Sequence, residues 1–198
     1  MLARSERPMP ATALDPRTAL VVIDLQKGIA SFPTVHPMGA IIENARRLAE
    51  AFRHASLPVV LVTVTFSADG GDRLRSRTDV PQRAMPTTSD FAELVPELAA
   101  QPGDILIVKR QPSAFYGTEL DLQLRRRGIT GIVLTGVSTS SGVESTARAA
   151  HELAYNLTFA SDAITDIDPA AHEFVMRRNF PRFGEVDSTD AVLGLLRR

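Results

Sequence analysis

Ile129-Thr-Gly-Ile-Val-Leu-Thr-Gly136, continued by Val137-Ser-Thr-Ser-Ser-Gly-Val-Glu-Ser-Thr-Ala-Arg148, decides the architecture. The first eight residues are largely apolar, as in a strand of a parallel sheet covered on both faces. Small residues then make a loop. Val143 to Tyr155 follows with Ala147, Ala150, Leu153 and Ala154 at helical spacing. Strand, small-residue loop and helix together form the repeating unit of an α/β fold.

The same unit recurs on either side. Thr18-Ala-Leu-Val-Val-Ile-Asp24 is an apolar run closing on an acid, and Ala40 to Ala55 is an amphipathic helix. Pro58 to Thr65 is a second strand. Residues 66–88, rich in Gly, Asp, Arg, Pro and Thr, form a loop long enough to suggest a functional role. Phe91 to Ala100 predicts a short helix kinked near Pro96. Ile105-Leu-Ile-Val-Lys109 is a third strand, and Thr118 to Arg127 a helix stopped by Gly128. Leu157-Thr-Phe-Ala-Ser-Asp162 is a further strand ending on an acid. Ala170 to Arg178 and Thr189 to Leu196 complete the helices. The pattern predicts a three-layer α/β sandwich with a mostly parallel sheet, formed by residues 17–198 behind an arm of residues 1–16.

Composition narrows the function. The chain has 198 residues, 44% hydrophobic and 23% charged, with 22 basic and 23 acidic residues for a net charge of -1. That length suits one well-buried domain. Its longest basic run is Arg125-Arg126-Arg127, which reads as a solvated helix face, so no nucleic-acid partner is expected. Met1 to Pro16 lacks the apolar run of a signal peptide. Nothing approaches the roughly 20 apolar residues of a membrane-spanning helix. A cytoplasmic protein without a membrane partner is the expectation. The chain has no cysteine, so disulfides, thiolate metal sites and thioacyl intermediates are excluded.

In parallel sheets, ligands bind beyond the carboxyl ends of the strands. Asp24, Lys109, the loop after Gly136 and Asp162 all fall there on this reading. Taken singly, an acid at a strand end is usually a cap and a lysine usually reaches solvent. Taken together, an acid beside an ammonium makes a charge-tuned pair, the lysine lowering the acid's pKa and burial raising it. Gly136 to Gly142 enters a helix, where free backbone N–H groups favour an anion or a developing oxyanion. Ser140 or Ser141 is expected to cap that helix, with Glu144 in its first turn.

Val21-Val-Ile-Asp-Leu-Gln26, Val108-Lys-Arg-Gln-Pro-Ser-Ala-Phe115 and Thr135 to Arg148 resemble the three signature segments of the isochorismatase-like hydrolase family, and Ser161-Asp-Ala163 resembles a fourth. The resemblance implies a six-stranded, Rossmann-like parallel sheet with helices on both faces. It also implies a non-proline cis peptide at Val137-Ser138, and oligomerisation, most simply as a dimer. In cysteine-dependent members an Asp and a Lys assist a Cys; Asp24 and Lys109 match the first two, and Gly142 falls on the third. Isochorismatases proper also lack that cysteine and hydrolyse a vinyl ether, releasing pyruvate. There Asp24 would deliver the proton, Lys109 would be its electrostatic partner and Gly142 would make room. The glutamine that this subgroup places at the end of the second strand is absent, since that strand ends at Thr65. Arg73, Arg75, Arg77 and Arg83 are the candidates for its substrate-holding arginine.

Gln26, Phe115, Ser138, Thr139 and Ser141 are the expected substrate-binding residues, with Phe115 alternatively filling core and Gln26 alternatively orienting Asp24. A serine nucleophile would need an adjacent base. None of the four histidines lies in a motif that supplies one. No metal or other cofactor is expected, because only His36 stands where the metal-dependent branch carries an Asp-x-His-x-His cluster. Arg148 is expected to pair with Asp162 or Glu152. The functional expectation is a metal-free, cysteine-independent hydrolase of a small carboxylate or amide-like metabolite. The alternative is a catalytically silent relative that binds a small molecule or serves as a scaffold.

Overall fold

The computed structural model describes residues 10–80 and 88–197. Six parallel strands form one sheet: β1 (Thr18–Ile23), β2 (Val59–Val64), β3 (Ile105–Lys109), β4 (Gly131–Val137), β5 (Asn156–Thr165) and β6 (Gly184–Asp187), in the spatial order β3-β2-β1-β4-β5-β6. The helices are α1 (Lys27–Ala30), α2 (Met38–His54), α3 (Leu120–Arg126), α4 (Glu144–Glu152), α5 (Pro169–Phe174), α6 (Phe180–Phe183) and α7 (Thr189–Leu196). The three-layer α/β expectation holds, and so does the count of six strands. Among the described residues no helix is long and apolar enough to cross a membrane.

Alternation along β1 builds both layers. Ala19, Val21 and Ile23 join a core with Leu120, Leu124, Ala147 and Phe180, whereas Leu20 and Val22 join Ile41, Ala45, Leu48 and Phe52 of α2. Strand order reverses between β1 and β4, and such a reversal opens a crevice at the carboxyl ends of the strands. Gly136 lets those two strands approach: its φ is +116°, and a Cβ there would lie 2.0 Å from the Ile23 carbonyl oxygen.

Several local expectations need correction. Phe91 to Ala100 is not a helix; only a 3-10 turn forms, over Pro96–Leu98. Its backbone serves other segments instead: Lys27 N–H donates to Glu93 O, Gly28 N–H to Phe91 O, and Val95 N–H to Leu25 O. The fifth strand does not stop at Asp162 but runs to Thr165 across an irregularity in its pairing with β4. Asp162 therefore leaves the strand-end cluster. Its carboxylate accepts from the backbone and hydroxyl of Thr189 at the start of α7. The expected 143–155 helix begins earlier, as a π turn over Thr139–Val143. Another π turn, Val175–Asn179, splits the expected 170–178 helix, and the strand β6 carries no long apolar run by which to read it. Arg148 pairs with Glu144 and stacks over Phe183, not with Asp162 or Glu152.

Candidate active site

Asp24 follows β1 directly. Its backbone turns into the left-handed region (φ +54°), which is costly for a non-glycine residue and concentrates at functional sites. Its N–H donates to Val62 O, fixing the residue over the end of β2. Lys109 closes β3 opposite Val64 and is 2% exposed. It does not reach solvent: Nζ lies 2.7 Å from Asp24 Oδ2 and donates to Pro112 O at 2.9 Å.

The two carboxylate oxygens of Asp24 are therefore unequal. Oδ2 is held by the ammonium, while Oδ1 is buried without a hydrogen-bond partner among the described residues. Burial raises the acid to a pKa of about 6, and the opposing pull of Lys109 only partly offsets it. A carboxyl group titrating there can give or take a proton near neutrality.

Gly142 completes the constellation. A Cβ built on it would sit 3.2 Å from Asp24 Oδ2 and 3.3 Å from Lys109 Nζ. Position 142 is thus directly over the acid–lysine pair, and the chain puts no side chain there. The peptide Val137-Ser138 is cis, as the resemblance implied. Beyond it the π turn is pinned at Ser140, whose N–H and hydroxyl both donate to Asp166 Oδ2, at 2.7 and 2.8 Å. This replaces the expected cap. No side chain caps α4, because the serine hydroxyl is directed to the end of β5.

These groups open onto a cleft of about 520 Å³. Asp24, Lys109, Ser138, Ser140, Ser141 and Gly142 form its floor and turn side, and Phe32, Phe66, Leu74 and Ile167 give apolar walls. Arg73 also lines it, stacked over the Phe66 ring at 4.6 Å. Arg110 is a further cation there, held by Asp72. Of the other arginine candidates, Arg75 donates to Gly70 O and does not line the cleft, and Arg83 lies outside the described residues. A cavity of about 600 Å³ lies at the opposite, amino-terminal edge of the sheet, beneath residues 12–15. Its acids Asp15 and Glu185 are engaged by Thr130, Asn156 and Thr12, whereas the smaller cleft holds the acid–lysine pair.

Three expected binding residues do not line the cleft. Gln26 is fully buried: its Nε2 donates to Val64 O and Phe91 O, and its Oε1 accepts from Val64 N–H. It ties β2 to the segment after the long loop. Phe115 packs against Tyr155, with ring centroids 5.8 Å apart, and so fills core. Thr139 is buried with its hydroxyl 2.7 Å from His172 Nδ1. Asp166 is the main residue that sequence reading missed. Ala163-Ile164-Thr165 continues the strand pattern beyond Asp162, and this was the available signal.

Beyond this geometry, the family model described as Isochorismatase domain matches residues 18–191. The chain belongs to the isochorismatase family. It is 45% identical over 181 residues to the isochorismatase family protein YwoC of Bacillus subtilis, covering 89% of this chain and 93% of that one. It is 30% identical over 209 residues to ureidoacrylate amidohydrolase RutB of Pseudomonas syringae, covering 93% and 85%. Among solved structures, an isochorismatase family protein from Burkholderia thailandensis superposes with a TM-score of 0.91 at 42% identity, over 96% of this chain and 99% of that one. N-carbamoylsarcosine amidase from Thermoplasma acidophilum gives 0.70 at 28%, over 88% and 97%. The isochorismatase family is a family of hydrolases, amidohydrolases among them.

Proposed function

We propose that the chain is a cysteine-independent hydrolase of the isochorismatase family, in a subgroup with glycine at the nucleophile position, acting on a small carboxylate or amide-like metabolite. Self-association is carried in the proposal by analogy with the family, a cytoplasmic location by the lack of a membrane-spanning helix among the described residues, and the absence of metal by the lone His36. One observation carries the chemistry: Asp24 is buried, held through Oδ2 by Lys109, unpaired at Oδ1 among the described residues, and open to a cleft in which residue 142 presents no side chain.

In the acid form Asp24 carries a proton that it can deliver into the cleft, with the Lys109 ammonium beside Oδ2. Transfer of that proton to the enol carbon of a vinyl ether leaves an oxocarbenium ion on the substrate and a carboxylate on Asp24. Lys109 stabilises the carboxylate so formed. Water then adds to the oxocarbenium, its proton returns to Asp24, and the hemiketal collapses to a carbonyl compound and an alcohol. For an amide the same carboxyl works in the opposite order, as base for the attacking water and then as acid for the leaving amine. Backbone N–H groups around Ser138 and Gly142 supply donors for developing negative charge. Arg73, stacked on Phe66 with no ion pair among the described residues, supports a carboxylate on the substrate.

Purified protein incubated with isochorismate, and separately with small amides and ureido acids, tests this by mass spectrometry of products. Pyruvate from isochorismate, lost in Asp24→Ala, is the expected result. Amide cleavage lost in the same variant would select the water mechanism. Full turnover retained by Asp24→Asn would overturn the role of Asp24. No turnover beside a thermal shift with the same compounds would replace the enzyme by a binding protein.

A further inference from the structure

Behind the turn that carries Gly142, two histidines pack edge to face. His36 lies in the segment between α1 and α2, and His172 lies on α5. Their ring centroids are 4.8 Å apart in an edge-on arrangement. Each ring is tied to a buried threonine. His36 Nδ1 lies 3.1 Å from Thr165 Oγ1, which also accepts the His36 backbone N–H, and His172 Nδ1 lies 2.7 Å from Thr139 Oγ1. Thr139 opens the π turn that leads to Ser140, Ser141 and Gly142. The proposed chemistry uses neither ring.

Proton bookkeeping gives this cluster a direction. Thr139 is fully buried, and among the described residues its hydroxyl has one partner, His172 Nδ1. With His172 neutral and its proton on Nε2, Nδ1 accepts the threonine proton and both groups are satisfied. Protonation makes Nδ1 a donor and reverses the bond, so the buried Thr139 hydroxyl loses the acceptor it has among the described residues. It also sets a cation against the His36 ring. The charged groups facing His172 are His36 from the α1–α2 segment, Asp166 from the end of β5 and Glu173 from its own helix. Asp166 is already engaged by Ser140 and by two backbone N–H groups of its own loop, and Glu173 pairs with Arg177. Burial and His36 together hold His172 below the ordinary histidine range against the pull of those acids.

We propose that neutral His172, braced by His36, is a positioning residue that fixes the turn carrying Gly142 through its bond to Thr139, and that its protonation releases the turn. This rests on the proposed role of the turn. It adds a second titrating group to the site, with a sign opposite to that of Asp24: function needs His172 deprotonated, and acid catalysis needs Asp24 protonated. A bell-shaped rate profile follows, with His172 setting the acid limb and Asp24 the basic limb.

The test needs no substrate. Asp24 also titrates beside Gly142, so backbone amide and histidine ring resonances are followed by NMR between pH 5 and 8 in Asp24→Asn, alone and combined with His172→Asn or Thr139→Val. His172→Asn keeps an acceptor near Nδ1 and does not titrate; Thr139→Val keeps the shape of the threonine and removes the hydroxyl. In Asp24→Asn the Gly142 amide is expected to shift with the same midpoint as the His172 ring. That shift should be absent once His172→Asn is added and uncoupled from the ring once Thr139→Val is added. A Gly142 shift that survives His172→Asn in this background, or a His172 titration that leaves Gly142 unmoved, overturns the proposal. Should the His172→Asn double variant fail to fold, Asp24→Asn alone and with Thr139→Val decides it. Coupling seen in a protein that turns over nothing would overturn only the hydrolase reading.

Discussion

Asp24 and Asp166 stand at the ends of β1 and β5, line one cleft and are almost equally buried, at 6% and 1% exposure. They differ in how their oxygens are satisfied. Asp166 Oδ2 takes both donors of Ser140, and Oδ1 takes the N–H groups of Ile167 and Asp168. Asp24 has Lys109 on one oxygen and, among the described residues, no hydrogen-bond partner on the other. Burial by itself therefore does not make a carboxylate reactive. A fully bonded buried acid is a rivet, whereas a half-bonded one holds a proton ready for exchange.

The largest expected effect breaks the reactive member of that pair. Asp24→Asn should lower turnover by about 10²–10⁴-fold, the usual range for a positioned general acid or base, as read by kcat on whichever substrate is cleaved. Stability should change in a pH-dependent way. The folded pKa is raised from 3.8 to about 6, so the folded state binds more protons than the unfolded state between those values. Wild-type stability should thus fall as pH rises through that window, by about 3 kcal/mol at 1.36 kcal/mol per pKa unit. Urea unfolding at pH 4 and pH 7 should show that fall in the wild type, and the Asp24 contribution to it should vanish in Asp24→Asn.

Lys109→Met attacks the same pair from the other side. It leaves a buried carboxylate without a counter-ion, which costs about 3–5 kcal/mol when the acid is ionised. The loss should be large at pH 8 and small near pH 5, where Asp24 is protonated, and denaturant melts at the two values separate the cases. Equal destabilisation at both would mean that Lys109 stabilises mainly through Pro112 O and packing.

Asp166→Asn sharpens the comparison. Whichever way its amide is turned, an NH₂ group must face either Ser140 or the Ile167 and Asp168 N–H groups, so one set of donors loses its acceptor. A cost of about 1–3 kcal/mol follows. The loss should lack the low-pH relief expected for Lys109→Met, because Asp166 is held by neutral donors rather than by a cation.

The parts legible in sequence were those written locally. The apolar runs of β1, β2 and β4 closing on Asp24, Thr65 and Gly136, with helical spacing in α2 and α4, carry the layers. Asp24 and Lys109 were visible because each terminates an unbroken apolar run. Failures came where a distant partner decides. Gln26 sits two residues from Asp24, yet Val64 and Phe91, far away in sequence, consume all its hydrogen bonds. Phe91 to Ala100 has helical spacing, but its carbonyls are needed by Lys27 and Gly28. Asp162 looked like a strand end because the pattern does not reveal the irregular pairing that carries β5 on to Thr165. The Thr139–His172 bond joins residues 33 apart and leaves no local mark.

The smallest expected effect concerns the two serines beside Gly142. Ser140 is locked to Asp166, an arrangement that resembles an activated nucleophile, but the two oxygens of that acid are already shared among four donors, the N–H and hydroxyl of Ser140 and the N–H groups of Ile167 and Asp168. Ser141 faces the cleft, and its N–H donates to Ser138 O. The nearest acid to the Gly142 position is Asp24, whose Oδ2 is occupied by Lys109. A hydroxyl without a dedicated base is a weak nucleophile. Ser141→Ala should therefore change turnover by no more than about twofold and stability by less than about 0.5 kcal/mol, as for a cleft residue outside any network. A loss as large as that of Asp24→Asn, or an acyl adduct on Ser141 trapped by mass spectrometry, would make this serine the substitute for the missing thiol and recast Asp24 as its base.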